Sequence, residues 1–169
     1  VWAIRTAYVG WAENRLNQRQ FLGVVAAGTA FVGASVRADI RCSIENVTPV
    51  SFSTYDVFQT VPRDAQGSVT YTCRGVGQRT VTIDLSSGSS GRFNPRSMTS
   101  TGSTLPYNLF LDSACTTIWG DGTGGSSRYG PSSPPNNTSI VVPIYGRIPP
   151  EQNVAPGSYA DSVTLTLNF

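Results

Sequence analysis

Histidine and lysine are both missing from the 169 residues, and all twelve basic residues are arginine. Without an imidazole there is no base for Ser-His-Asp or Cys-His nucleophilic sites. Without an amine there is no Ser-Lys site, Schiff base or phosphate-binding loop. Charge is also scarce. Charged residues make up 13% of the chain, about half the usual share, and the net charge of +2 is spread along the sequence. A nucleic-acid partner, which needs clustered positive charge on one face, is therefore not expected. The three cysteines, Cys42, Cys73 and Cys115, contain no CxxC pair, so a zinc site would need three separated thiolates and a carboxylate, a poor ligand set. No cofactor and no metal are expected. What survives is carboxylate chemistry or no catalysis at all.

What is present is Ser, Thr, Gly and Asn in abundance, beside a hydrophobic share of 39%. The length suits one domain with one core. Near the start, Arg15 to Arg19 carry positive charge and Phe21 to Gly33 (FLGVVAAGTAFVG) is apolar. Ala34 to Ala38 (ASVRA) then offers small residues. This is the layout of a secretory signal peptide over 16–38, cleaved after Ala38 with Val36 and Ala38 at the specificity positions, or alternatively after Ala34. The apolar run falls short of the roughly twenty residues of a membrane-spanning helix. Asp39-Ile40-Arg41 ahead of Cys42 lacks the small residues of a lipoprotein site. Signals normally open a chain, so residues 1–15 are expected to be either a mis-assigned start, with the true one at Leu16, or an extended n-region. Division at Ala38 also divides the charge. The leading 38 residues hold four Arg and one Glu, a net of +3, and residues 39–169 hold eight Arg and nine acids, a net of −1.

From Asp39 onward, short runs alternate with period two between clusters of Gly, Pro, Ser and Asn, the pattern of strands and turns. Ile40, Cys42 and Ile44 share one face; so do Val69, Tyr71 and Cys73, and Val81, Ile83 and Leu85. Leu105–Leu111, Ile140–Ile144 and Tyr159–Phe169 add three more candidate strands, the last with Val163, Leu165, Leu167 and Phe169 on one face. Six or seven strands at this spacing predict an all-β, immunoglobulin-like two-sheet sandwich over 39–169. In an exported protein, Cys42 and Cys73 on inward strand positions are placed for a disulfide. Cys115 is left over as a free thiol, a thiol for a partner, or an intermolecular bridge.

Gly120 to Gly125 (GDGTGG) looks like a phosphate loop, but no Lys follows and turn chemistry accounts for it. Asp112 and Asp121 are candidates for a glycosidase pair or a Ca²⁺ site, against solvated loop carboxylates as the plainer reading. Trp119 and Tyr129 are candidates for a surface-binding patch on carbohydrate or an abiotic surface, although a sandwich also needs aromatics inside.

Phe52-Ser53-Thr54-Tyr55-Asp56, Arg96-Ser97-Met98, Leu105 to Gly122 (LPYNLFLDSACTTIWGDG), Pro143 to Ile148 (PIYGRI) and Gly157 to Phe169 (GSYADSVTLTLNF) occur in that order, with a cysteine before and after the first of these motifs. Together they resemble the spore coat protein U family, which includes subunits of archaic chaperone–usher pili. Ser53 stands where that family usually has Gly, and Cys115 where a thiol is uncommon. The resemblance implies a sandwich lacking its last strand. It also implies folding with a periplasmic pilus chaperone, passage through an outer-membrane usher and assembly with neighbouring pilin subunits at the cell surface. An incomplete sandwich exposes a groove and an unpaired edge until another strand fills them. Val163, Leu165, Leu167 and Phe169 would line that acceptor groove or the chaperone contact. After cleavage only Asp39, Ile40 and Arg41 precede Cys42, too few to span a groove at about 3.3 Å per residue. The expectation is a subunit that accepts a strand without donating one, at a fibre tip or in a non-fibrous coat. The alternative is an adhesin-like binding module.

Overall fold

The computed structural model describes residues 3–17 and 40–169, apart from 76 and 78. The expected apolar run Phe21–Gly33 and the cleavage positions Ala34, Val36 and Ala38 lie outside the described residues. Ten strands follow in order: β1 (Ala3–Asn17), β2 (Arg41–Thr48), β3 (Val50–Asp56), β4 (Arg63–Arg74), β5 (Val81–Leu85), β6 (Arg96–Ser100), β7 (Ser103–Phe110), β8 (Tyr129–Ser132), β9 (Ser139–Ile148) and β10 (Ser158–Asn168). The helical content of the described residues is a single 3₁₀ turn, Gly88–Ser90.

One sheet runs β2-β4-β9-β7, antiparallel throughout. The other runs β6-β10-β1-β3, with β5 beside the far half of β10 and β8 beside β5. Strand β7 belongs to both: Ser103–Tyr107 pair with β6, and Asn108–Phe110 pair with β9. The chain also changes sheet at Pro49, whose missing N–H ends the β2 ladder before Val50 begins β3.

Alternation sets the core. Val69, Tyr71 and Cys73 of β4, Val81, Ile83 and Leu85 of β5, and Val163, Leu165 and Leu167 of β10 are all buried. Between the sheets, β3 lies close over β9. A Cβ on Gly146 would sit 2.5 Å from Val50 Cγ1 and 2.8 Å from Phe52 Cζ, so only glycine permits this approach. Phe52 also meets Tyr107 edge-to-face at 6.1 Å. The expected bridge is present. Cys42 and Cys73 are direct register partners on β2 and β4 and form a disulfide with a Cα–Cα distance of 4.1 Å.

Candidate functional site: a strand slot between β3 and β10

Strand β10 presents two different edges. On one edge, Ala160 pairs with Thr99 of β6, and Leu165–Asn168 pair with Leu85–Thr82 of β5. The gap between these partners is closed by Ser86, whose N–H donates to Thr164 O at 2.9 Å and whose Oγ accepts from Thr164 N at 2.9 Å. That edge is thus completed by neighbours from the same domain. The opposite edge, from Ser158 to Asn168, pairs along its length with β1, in parallel.

Strand β3 forms the other wall, and among the described residues its hydrogen-bonded strand neighbour is β1 alone. Its inward residues are Val50, Phe52 and Tyr55, all fully buried. The spacing slips by one after Phe52 because Ser53 adopts φ 57°, in the left-handed region. A glycine reaches that region without steric cost, which accounts for the residue usual in the family the sequence resembles. The wall is tied down at several points. Tyr55 Oη donates to Pro149 O at 2.8 Å and accepts from Gln152 N at 2.9 Å, and burial pushes this phenol's pKa up. Arg63 Nε donates to Phe52 O at 2.8 Å. Residues 40–169 therefore build two walls and a floor with no strand between them, and β1 occupies the space.

The site residues expected from sequence fall here. Val163, Leu165 and Leu167 are buried on the inward face of β10, and Phe169 is half-buried against the core. Asp161 shares that face and is held by Tyr107 Oη at 2.7 Å, Ser89 N at 2.9 Å, Ser89 Oγ at 2.7 Å and Ser162 N at 2.8 Å. The same carboxylate and the long burial of Tyr107 push the Tyr107 phenol upward, burial being the larger cause.

Beneath β6 lies a buried arginine. Arg96 is fully buried; it donates to Ser86 O (3.0 and 2.8 Å), Trp119 O (2.7 Å) and Asn108 Oδ1 (2.8 Å), and lies over the Phe93 ring at 5.2 Å. Burial lowers its pKa to about 10, so it stays charged at neutral pH. Its fork joins the β5–β6 connection, β7 and the loop after β7.

Trp119 corrects an expectation. It is fully buried, with Nε1 donating to Ile83 O at 2.9 Å, because its indole fills the space beside β5 and finds its one acceptor inside. A surface-binding role for its ring is thereby removed. Tyr129 is half-buried with its ring 6.0 Å from that of Trp119. Asp112 accepts from Thr116 N, Thr116 Oγ and Thr117 N, and Asp121 from Thr123 N and Oγ; both close local turns. Arg147 makes a two-pronged pair with Asp64, at 2.7 Å on each arm. Cys115 is an unbridged, half-buried thiol at φ 57°, its pKa raised by burial. Among the described residues no group of three His, Cys, Asp or Glu side chains could hold a metal, and no helix is long and apolar enough to cross a membrane.

The family model of the Spore Coat Protein U domain matches residues 28–166. The chain belongs to the Spore Coat Protein U domain family. Among solved structures, this family member is similar to a chain in the crystal structure of the CsuC–CsuE chaperone–tip adhesion subunit pre-assembly complex from archaic chaperone–usher Csu pili of Acinetobacter baumannii. The TM-score is 0.51 at 22% identity, covering 77% of this chain and 40% of that one. At that identity the likeness is one of fold, and the Spore Coat Protein U chain spans well under half of its neighbour. No curated protein matches.

Proposed function

We propose that the chain is a structural, non-enzymatic subunit of a chaperone–usher pilus or related surface coat, acting by accepting a β-strand between β3 and β10. The observation that carries this reading is that residues 40–169 supply β3 with no strand neighbour and leave one edge of β10 open, above buried Val50, Phe52, Tyr55, Val163, Leu165 and Leu167. An unpaired edge over an apolar floor is a strand-addition site. Family membership and the fold likeness to a chain of a pilus assembly complex support the same reading.

In this account residues 16–38 are the export signal, and the domain 39–169 passes through the periplasm to the cell surface. Its partners are a pilus chaperone, an outer-membrane usher and neighbouring subunits. The Asp39–Arg41 stub is too short to fill another groove, which suits a fibre tip or a coat. Expressing the whole chain in a bacterial periplasm, with and without an archaic-type pilus chaperone, tests this. The expected product starts at Asp39 by mass and is recovered as a one-to-one chaperone complex. A stable, chaperone-independent monomer starting at Asp39 overturns the reading.

A second reading, an adhesive module for an abiotic or carbohydrate surface, draws on Phe58 and Val61. They are 67% and 64% exposed on the turn after β3. Phe58 also lines a shallow cleft with Val57, Glu151, Val154 and Pro156. Replacing both by Ser should reduce adhesion to polystyrene while leaving chaperone binding intact; unchanged adhesion removes this reading.

A further inference from the structure

We propose that residues 3–17 are an intramolecular occupant of the strand slot, so that a chain retaining them is self-capped and a chain cut between Asn17 and Ile40 presents an open slot. The inference rests on the strand-acceptor reading and adds to it the state of the slot before the cut. Strand β1 meets both walls at once. It pairs in parallel with β10 from Thr6↔Ser158 to Asn17↔Asn168, and antiparallel with β3 from Ala3↔Asp56 to Val9↔Val50. It thereby satisfies the two backbone edges that residues 40–169 leave open.

Two physical terms set how firmly the slot is closed. The covalent tether through residues 18–39 places β1 at an effective concentration on the order of millimolar, which a strand in trans must overcome. Against this, the β1–β10 ladder is parallel, the weaker arrangement per residue. Its register also slips, between Trp11 and Asn14 against β10 and between Ile4, Ala7 and Tyr8 against β3. Each slip leaves a backbone group out of the ladder. A plug with these features excludes other strands while attached and is lost when the tether is cut.

The whole chain carrying Cys115→Ser provides the test. Tyr8 and Ser51 are antiparallel register partners, so Tyr8→Cys with Ser51→Cys should form an intramolecular disulfide under mild oxidation. A second variant, Val9→Pro with Trp11→Pro, puts residues that lack an N–H at the β1 positions paired with Asp161 and Val163. The probe is a fluorescent synthetic peptide of residues 3–17. The oxidised cysteine pair should capture none, the parent little, and the proline variant about tenfold more than the parent or better. Failure of the disulfide to form, or equal capture by parent and proline variant, overturns self-capping. If the disulfide forms but the proline variant stays a soluble monomer and takes no peptide, the strand-acceptor reading has failed instead, and the proposal falls with it. Should the proline variant aggregate, suppression of that aggregation by the peptide supports the proposal, and aggregation indifferent to peptide counts against it.

Discussion

Replacing Arg96 with Met keeps a side chain of similar length in a fully buried position and removes the guanidinium that joins three segments. Ser86 O and Trp119 O lose their donors from Arg96, while Asn108 Oδ1 retains the Leu109 N–H at 3.0 Å. Two orphaned carbonyls cost about 1–3 kcal/mol each. Part of that is returned because a buried charge no longer has to be desolvated. The net expectation is a loss of about 3 kcal/mol, or roughly 10 °C in Tm for a domain of this size. Arg96→Lys should lose nearly as much, since an ammonium keeps the charge but cannot span the acceptors as a planar fork does. Urea unfolding of the disulfide-intact protein, followed by tryptophan fluorescence and by far-UV circular dichroism, reads the difference. A loss below about 1 kcal/mol for both variants would refute the assignment of Arg96 as the polar pin of this end of the sandwich.

Burial pushes the Tyr71 phenol up to about 12, from an ordinary value of 10.0. Because the unfolded chain ionises first, Tyr71 should leave stability intact below pH 10 and take away roughly 2–3 kcal/mol between there and pH 12. Tyr71→Phe should reduce the alkaline decline by that share in denaturation curves, the remainder coming from the raised Tyr55 and Tyr107 phenols. Gly88 has φ 68°, and a Cβ there would clash with Asp161 Oδ2, far inside van der Waals contact. Gly88→Ala should therefore cost about 2–4 kcal/mol by thermal unfolding, through backbone strain and displacement of the carboxylate from Tyr107. Ser53→Gly should act in the opposite direction, relieving the left-handed residue on β3 by about 0.5–1 kcal/mol; a destabilised variant would contradict the strain argument.

Much of the sandwich is legible in the sequence because one face of each strand is buried. The alternation in Val69–Cys73, Val81–Leu85 and Tyr159–Phe169 marks β4, β5 and β10, and β9 extends Ile140–Ile144 at both ends. Strand β3 escapes the same reading because the bulge at Ser53 shifts Tyr55, and not Thr54, to the inside. Strand β8 contains a proline and only four residues, so it carries no periodic signal. Arg96 and Trp119 are legible in kind, as an arginine of a family-like motif suited to hydrogen bonds with loop carbonyls and as an aromatic a sandwich needs inside, but not in their partners. A basic residue and an amphipathic aromatic are commonly exposed, and their burial depends on distant carbonyls at Ser86 and Ile83 that no local pattern reveals. The inward face of β10 is legible from the alternation of Val163, Leu165 and Leu167, whereas the pairing of its edge with β1 is not. A parallel partner from the opposite end of the chain leaves no hairpin signature, and residues 1–15 read as a mis-assigned start or an extended n-region.

Strands β3 and β10 flank a place for one strand that residues 40–169 do not provide, and hydrogen–deuterium exchange at Val50–Asp56 reads whether it is filled. In the whole chain the β3 amides paired with β1 should be protected. In the Val9→Pro/Trp11→Pro variant they should exchange freely, and addition of the residue 3–17 peptide should restore protection. Equal protection of β3 in both proteins, with no added strand, would contradict the account.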